Sequence, residues 1–491
     1  MKISINELMQ KSGVKFGTSG ARGLVSAMSD FVCYSYTRAF IEYLQGLGDL
    51  NITQKEIAVA GDLRPSTERI MIAVMAAIAD CGCQPINAGF IPTPALAYFG
   101  LVHGWPSIMV TGSHIPADRN GIKFYKKAGE ILKNDEAKIR QVQFEIDDRI
   151  FDEKGNFIKP RSLPARIEKQ AEEDYLKRYT DFFPNDCLKS LRIGLYEHSA
   201  VGRDILHRLL IELGAKVETL GRAKEFTAVD NEALEPKVIA QVSAWSSGSK
   251  FDALVSTDGD SDRPIIWDEN GNWIENDLAD ILCASYLGAQ TICTTLSCNT
   301  ALEKSGWFKN IIRTKIGSPY VIEAMIESQA KGLGNIIGYE NNGGLLLQSA
   351  FDLNGKVLAP LPTRDAFLVL LSVLSLARRE SRKISELFQG LPQSFVVSGH
   401  IVNFDKEKAD QIIQTLNTKE QINMVFEHIS GPLQSINDLD GLRLIFENGE
   451  VIHLRPSGNA PEMRIYSEAE TKERAAEINK RAISIIINST F

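Results

Sequence analysis

Short apolar runs alternate with amphipathic segments along most of the chain. Apolar runs that end in polar loops predict buried strands at 56–62, 107–113, 190–199, 251–260, 289–297 and 332–344. The segment 64–82 follows the first run with apolar residues at three-to-four spacing, which predicts a helix. Such alternation is typical of mostly parallel sheets covered by helices. Ligands bind beyond the carboxyl ends of the strands in these sheets, so the residues after each strand are the first place to look for chemistry.

The pattern also divides the chain into domains. A length of 491 residues suits three or four domains. Residues 126–175 are charged and irregular, and we place a boundary near 165 within them. After residue 402 short alternating strands and a final helix at 471–487 predict a smaller α+β unit. We therefore predict four domains, at 1–165, 166–288, 289–393 and 394–491.

The longest apolar stretch is AFLVLLSVLSLA, at 366–377. It is too short to span a bilayer and predicts a buried helix. The first fifteen residues lack the apolar core of a signal peptide, so we expect a cytoplasmic protein. Seven scattered cysteines lack the spacing of a structural zinc site and predict reduced thiols.

The charge balance narrows the class of partner. A formal net charge of −8 argues against nucleic acid or an anionic membrane as the main partner. We expect a small-molecule partner instead, and a monomer or a dimer.

The segment VSTDGDSDRP (255–264) places Asp258, Asp260 and Asp262 at alternate positions after a predicted strand. Such carboxylates can converge on one hard cation, Mg²⁺ or Ca²⁺, rather than on zinc. An EF-hand is excluded because Arg263 stands where its loop needs glycine. A solvated acidic turn is the alternative for this loop taken alone.

Four other polar loops carry candidate anion or sugar ligands. MVTGSHIPADRNGIKFY (109–125) contains Ser113, which is either a turn residue or a nucleophile at a strand end. VKFGTSGARGLV (14–25) offers backbone N–H groups and Arg22 to an anion, although an ordinary glycine-rich turn would have the same sequence pattern. LRPSGNAPEMRIY (454–466) has two arginines that could grip a phosphate. IGYENNGGLL (337–346) offers a carboxylate and an amide to sugar hydroxyls, or is a plain turn.

Taken together and in order, these loops resemble those of the α-D-phosphohexomutases, which include phosphoglucomutases, phosphomannomutases and phosphoglucosamine mutases. FGTSGARG, TGSHIPADRNGIK, DGDSDR, GYENNGG and RPSGNAPEMRIY are similar to its N-terminal, phosphoserine, metal, sugar and phosphate-binding loops. The resemblance implies an α/β protein of four domains around a central cleft. Three of them would be similar mixed α/β domains and the C-terminal one a smaller α+β domain.

The resemblance also implies a role for each candidate residue. Ser113 would carry a phosphoryl group and, with the three aspartates, hold one Mg²⁺. Lys123, as general acid or base with a lowered pKa, would flank the transferring group with Arg22, and His114 would support the serine loop. The implied substrate-binding residues are Arg263 beside the metal loop, Glu340 and Asn342 for sugar hydroxyls, and Arg455, Ser457, Gly458, Asn459 and Arg464 for the distant phosphate.

The implied reaction moves a phosphoryl group between the 1- and 6-positions of a hexose phosphate. It would use phosphoserine and a hexose 1,6-bisphosphate, which is both intermediate and activator. The match departs from the family at Asn342, where serine is common, at Gly344, where several bacterial members have histidine, and at Ala460, where a carboxylate is common. We predict a mannose phosphate or both mannose and glucose phosphates as substrate. A phosphoglucosamine mutase, a metal-dependent sugar phosphatase and a catalytically silent sugar-phosphate binder are the alternatives.

Overall fold

The structure, a computed structural model, describes residues 1–17, 20–50, 54–248, 250–456 and 461–488. Its first unit contains a mixed sheet of seven strands, with helices and a small two-stranded sheet packed around it. The elements of this unit are β1 (Lys2–Ser4), α1 (Ile5–Ser12), β2 (Lys15–Phe16), β3 (Gly20–Leu24), α2 (Asp30–Leu47), β4 (Glu56–Gly61), α3 (Thr67–Asp80), β5 (Gln84–Phe90), α4 (Thr93–His103), β6 (Ser107–Val110), β7 (Arg119–Lys126), β8 (Gly129–Glu130), α5 (Lys133–Gln141), β9 (Gln143–Glu145) and a 3₁₀ turn at Asp148–Ile150.

The second and third units have smaller mixed sheets. The second consists of α6 (Gln170–Phe182), β10 (Arg192–Tyr196), α7 (Arg203–Glu212), β11 (Lys216–Leu220), α8 (Pro236–Ser246), β12 (Ala253–Thr257) and β13 (Pro264–Trp267). The third consists of α9 (Asn276–Leu287), β14 (Thr291–Thr295), α10 (Ala301–Ser305), β15 (Asn310–Thr314), α11 (Ser318–Ala330), β16 (Ile336–Tyr339), β17 (Leu345–Leu347), β18 (Phe351–Leu353), β19 (Lys356–Leu358), β20 (Leu361–Asp365), α12 (Ala366–Glu380) and α13 (Ile384–Gln389).

The fourth unit is an antiparallel sheet of five strands with helices packed against it. Its elements are β21 (Phe395–Val402), α14 (Lys406–Thr415), α15 (Lys419–Ser430), β22 (Leu433–Asn437), β23 (Leu442–Phe446), β24 (Val451–Pro456), β25 (Glu462–Ala469) and α16 (Lys472–Asn488). The predicted class, three mixed α/β domains followed by a smaller α+β domain, is confirmed.

The first three sheets share one strand arrangement. In each, a central strand pairs in parallel with a strand on either side, and the next strand of the chain returns antiparallel to the last of these. The parallel triplets are β5-β4-β6, β11-β10-β12 and β15-β14-β16, and the returning strands are β7, β13 and β17. The turn before each returning strand therefore lies at the carboxyl end of a parallel strand.

Helix α12 is buried over the whole of 366–377, as its composition predicts, and packs against α9 in the largest core cluster. Its N-terminus is capped by Asp365, whose side chain accepts from the Leu368 N–H at 3.4 Å. Asp365 also accepts from the hydroxyls of Tyr175, at 2.7 Å, and Tyr179, both on α6. This buried carboxylate thus joins the second unit to the third.

Residues 126–175 are more regular than the sequence predicts, because they contain β8, α5, β9 and the start of α6. Helix α5 buries only Asp135 and Ile139, so its apolar pattern is too weak to be recognised. All seven cysteines are free thiols, as expected. In the described part of the chain, no helix combines the length and the apolar character needed to cross a membrane.

The fourth unit contacts the third through Glu468 on β25. Its carboxylate accepts from the N–H of Thr300 at 2.8 Å, from the Thr300 hydroxyl at 2.5 Å and from the Ser394 hydroxyl. Two further carboxyl groups, Glu275 and Asp277, belong to the same cluster. Burial, and then repulsion from Asp277, raises the pKa of Glu275 to about 8.

Burial also raises the pKa of Asp277 to about 6, against the opposing hydrogen bond from the Asn299 N–H and with a further increase from Glu468. Between about pH 4 and pH 6 the native Asp277 therefore keeps a proton that the unfolded chain has lost. Stability contributed by this group falls as the pH rises through that window and is constant above it.

We predict that Asp277→Asn gains stability relative to the unmodified chain as the pH rises from 4 to 7. The amide is uncharged at both values, and its oxygen can still accept from the Asn299 N–H. Calorimetric unfolding midpoints at pH 4.5, 5.5 and 7 would measure the difference, with Asp438→Asn on the exposed surface as control. A difference that does not change with pH would contradict the prediction.

Candidate active site

The equivalent turn of each of the first three sheets carries predicted site residues. The β6–β7 turn contains Ser113, the β12–β13 turn contains Asp258, Asp260 and Asp262, and the β16–β17 turn contains Glu340. Side-chain contacts join the first turn to the second, and Arg364 joins the second to the third. The repeated strand arrangement thus brings together residues that are more than 200 positions apart.

Ser113 lies in the left-handed backbone region, with φ 57°, three residues after the end of β6. Its side-chain hydroxyl donates to Asp258 Oδ2 at 2.6 Å and is 3.4 Å from His114 Nδ1. Its N–H donates to Thr111 Oγ1 at 2.8 Å, which fixes the turn. Residues other than glycine rarely adopt this conformation. A serine that does so, and whose hydroxyl contacts another domain, is typical of a functional position.

Arg64 holds the serine turn in place, and the sequence analysis did not identify it. The guanidinium is 3% exposed and stacks on the Phe226 ring of the second unit at 4.3 Å. It pairs with Asp62 and donates to the carbonyl oxygens of Ser113, Ile115, Pro116 and Arg119. The available signal was the position of Asp62 and Arg64 just beyond the carboxyl end of β4.

The three aspartates are almost completely buried, and each offers an oxygen within 4.8 Å of the others. Lys123 on β7 donates to Oδ2 of Asp260 and to Oδ2 of Asp262, both at 2.7 Å, and Thr93 Oγ1 also donates to Asp260 Oδ2 at 2.6 Å. Oδ1 of Asp260 and Oδ1 of Asp262 are buried and have no hydrogen-bond partner among the described residues. Buried, unpartnered carboxylate oxygens suit a hard cation such as Mg²⁺.

The charges of this cluster correct one expectation. Burial by itself would lower the pKa of Lys123, but Asp260 and then Asp262 outweigh burial and hold that pKa above its usual value. The predicted lowered pKa is therefore wrong for this arrangement, in which the ammonium form bridges two carboxylates. Burial and the two neighbouring carboxylates raise the pKa of Asp258.

His114 and Arg22 lie beside the same cluster. Burial, followed by repulsion from Arg263 and Arg22, lowers the pKa of His114, so its ring is neutral at pH 7. Arg22 on β3 is paired in register with Gly121, two residues before Lys123, which places Arg22 and Lys123 on one face of the sheet. Burial and the nearby Arg263 lower the pKa of Arg22. Cationic side chains, Arg22 and Arg263, therefore lie near the serine turn together with the three aspartates.

Arg263 binds a loop of the second unit that the sequence analysis missed. Its Nη1 donates to Glu232 at 2.9 Å and lies 3.4 Å from Asn231 Oδ1. Asn231 Nδ2 in turn donates to the backbone oxygen of Asn342 at 2.5 Å. The Oδ1 atom of Asn342 is buried and has no partner among the described residues. Nothing local in the sequence indicates this loop, because its contacts are with residues about 30 and 110 positions away.

Glu340 is 4% exposed and is held by Arg364, a second residue that the sequence analysis missed. Arg364 Nη1 donates to Glu340 Oε2 at 3.0 Å, and its Nε is 3.5 Å from Asp262 Oδ2. Gly344 packs so closely here that a Cβ would lie 2.4 Å from the Asp262 backbone oxygen. Glycine at 344 therefore lets the predicted sugar loop rest directly on the predicted metal loop.

The predicted phosphate grip of the fourth unit stands apart. Arg455 on β24 and Arg464 on β25 are paired in register and so lie side by side. Arg455 donates to Asp440 at 2.9 Å, and Arg464 donates to Glu462 at 2.9 Å. Within the described residues neither arginine has a hydrogen bond or ion pair with the cluster around Ser113. Ser457, Gly458, Asn459 and Ala460 lie outside the described residues.

Family models match the four units in order. They are described as phosphoglucomutase/phosphomannomutase alpha/beta/alpha domains I, II and III, at residues 13–149, 173–271 and 275–395, and as its C-terminal domain, at 405–484. The number and order of the domains agree with the sequence analysis, and its exact boundaries stay a prediction.

Full-length relatives and solved structures are similar as well. A phosphomannomutase of Salmonella muenchen is 39% identical over 98% of this chain and 97% of its own length. A phosphomannomutase of Sinorhizobium fredii is 38% identical over 97% and 99%. The crystal structure of a phosphoglucomutase/phosphomannomutase family protein from Burkholderia thailandensis has the same fold, with a TM-score of 0.73 at 18% identity over 96% of both chains. The chain therefore belongs to the phosphoglucomutase/phosphomannomutase family.

Proposed function

We propose that this chain moves a phosphoryl group between the 1- and 6-positions of a hexose phosphate, and that the hexose is mannose, or mannose and glucose. The observation that carries the proposal is the Ser113 hydroxyl, which is fixed at a strand end and bonded to one of three buried carboxylates. Two relatives named phosphomannomutase support mannose as the sugar.

Ser113 is proposed to carry the phosphoryl group between substrate molecules. The oxygen of the sugar's free hydroxyl forms a bond to phosphorus while the bond between phosphorus and Ser113 Oγ breaks, which yields a hexose 1,6-bisphosphate. After this intermediate turns round, its other phosphoryl group returns to Ser113. The proton of the sugar hydroxyl must end on Ser113 Oγ, and Lys123 is our candidate for relaying it: its ammonium form would donate a proton to the departing Oγ, and the resulting amine would take the hydroxyl proton.

The remaining residues bind and orient. Asp258, Asp260 and Asp262 are proposed to hold Mg²⁺, which when bound would neutralise charge on the phosphoryl oxygens. Arg22 and the neutral His114 would stabilise the serine turn and its phosphate. Arg263, Glu340 and Asn342 would orient the sugar, and the residues proposed to grip the non-reacting phosphate are Arg455, Ser457, Gly458, Asn459 and Arg464.

Phosphorus NMR tests the reaction directly. With Mg²⁺, a trace of hexose 1,6-bisphosphate and either mannose 1-phosphate or glucose 1-phosphate, we expect the 6-phosphate signal to grow without inorganic phosphate. Ser113→Ala should abolish this growth, because no side chain is left to carry the group. Accumulation of inorganic phosphate would indicate a phosphatase instead, and binding of the sugar phosphate without turnover would indicate a silent binder.

A second prediction concerns Lys123. We expect Lys123→Met to lose about 10²- to 10⁴-fold in turnover, the range for a missing proton-transfer group. The same change should strengthen Mg²⁺ binding, because Asp260 and Asp262 lose their internal cation. Calorimetric titration with Mg²⁺ measures the second effect without substrate. Turnover like that of the unmodified chain would end the assignment.

A third prediction concerns Arg364, which we propose positions Glu340 against Asp262. Arg364→Lys keeps the charge but cannot reach both carboxylates with a planar fork. We expect KM for the hexose phosphate to rise about tenfold, which corresponds to about 1.4 kcal/mol, and the ratio of mannose to glucose activity to change. Steady-state kinetics with both sugars would measure this, with Arg379→Lys as control. An unchanged ratio and KM would contradict the role.

A further inference from the structure

A cavity of about 400 Å³ opens between the second and third units. Its lining comes from the amino end of β10, from the residues just before β10 and β12, from the turn that follows β13, and from the carboxyl end of α12 and the residues after it. The predicted catalytic turn follows the opposite end of β12, and Arg364 precedes the opposite end of α12. From Asp252 to Asp258 an extended chain covers about 20 Å, and α12 covers a similar distance. The cavity is thus separate from the candidate active site.

The floor of the cavity is apolar, and its rim is positively charged. The buried floor residues are Ile193, Phe251, Leu374, Ala377 and Ile384. The charged lining residues are the cations Lys189, Arg192, Arg378, Arg382 and Lys383 and the anions Asp252 and Glu269. Five cations and two carboxylates thus line a cavity in a chain whose formal net charge is −8, although Lys189 and Arg382 also pair with Asp186 and Glu380 outside the lining.

Both carboxylates of the rim are already engaged. Asp252 pairs with Arg192, at 2.9 Å between Nη2 and Oδ1. Glu269 accepts from the Ser385 N–H at 3.2 Å and from the Ser385 hydroxyl at 2.5 Å. Asp252 is thus paired with one cation of the rim, and among the described residues Glu269 forms no ion pair with any of the others.

Two of the cations have no carboxylate partner. Arg378 donates through Nε to the backbone oxygen of Lys189 at 2.9 Å, which leaves its two terminal nitrogens. Within the described part of the chain, no side-chain nitrogen of Arg378 or Lys383 lies within 4.0 Å of a carboxylate oxygen, although the backbone N–H of Lys383 donates to Glu386 Oε2 at 3.1 Å. The carboxyl end of a helix carries partial negative charge, which favours Arg378 in the last turn of α12. This explains Arg378 but not Lys383, which lies beyond the helix.

Two serines at the mouth, Ser190 and Ser381, have left-handed backbones with φ 73° and 53°. Glycine would adopt this conformation at lower cost, whereas serine also supplies a hydroxyl. Cations, hydroxyls and an apolar floor in one cavity suit a ligand that has an anionic group on a flat, largely apolar body. We propose that this cavity is a second ligand site, which binds an organic phosphate with an aromatic ring, of the nucleoside phosphate class.

The test measures binding of a fluorescent nucleotide, mant-ADP, by anisotropy. The measurement uses the full chain in EDTA, which excludes binding through a metal at the aspartates. The test variant is Arg378→Gln/Lys383→Gln, and a matched double variant, Arg379→Gln/Lys331→Gln, removes the same charge outside the cavity. None of these four residues belongs to the candidate active site, so hexose phosphate turnover should be unchanged in both variants.

We expect saturable binding that weakens at least tenfold in the test variant and stays within twofold in the control. Unlabelled ADP should displace the probe. Adenosine or inorganic phosphate at equal concentration should not, because adenosine lacks the anionic group for the cations and phosphate lacks the ring for the apolar floor. Absence of saturable binding, or equal binding by both variants, would overturn the proposal. Displacement by inorganic phosphate alone would also overturn it, by indicating a simple anion site.

Discussion

The burial of four charged groups at one point governs the arrangement of the first three domains. Asp258, Asp260, Asp262 and Lys123 are each at most 3% exposed. Charges withdrawn from water destabilise a protein unless they are paired closely. The pairing of Lys123 with two aspartates crosses from the first domain to the second, and Arg364 adds a contact from the third. Any shift of one sheet against another would therefore leave a buried charge without its partner.

The repeated strand arrangement makes this convergence possible. Each of the three sheets presents the turn before its returning strand, so equivalent turns supply the serine, the carboxylates and Glu340. Rigid strands on both sides limit how far each turn can move. The fourth domain is attached differently, through hydrogen bonds of Glu468 and of Asp440, which accepts from the Ile316 N–H at 2.9 Å. The position of Arg455 and Arg464 relative to the other domains thus depends on these few hydrogen bonds and not on the buried charges.

Local patterns predicted much of the fold, and several of the residues that they singled out lie together in the structure. Strands that end in polar turns, and the wholly apolar α12, are visible because neighbouring residues carry the signal. Asn231 and Arg364 were missed because their importance lies in contacts across 24 to 111 positions, which no local spacing records. Arg64 was missed although its position just beyond β4 was a local signal. Helix α5 was missed for the opposite reason, since it buries too little to leave a pattern.

The pKa of Lys123 shows why electrostatics is harder to predict than position. The sequence places a lysine near a metal loop, and the expected neighbours, Arg22 and a cation, would lower its pKa. In the structure the strand register turns its side chain towards Asp260 and Asp262, on the same face as Arg22, and these two carboxylates outweigh burial and raise the pKa. A one-residue change of register would point Lys123 to the other face of the sheet. The sign of the shift thus depends on register, which the sequence alone does not determine.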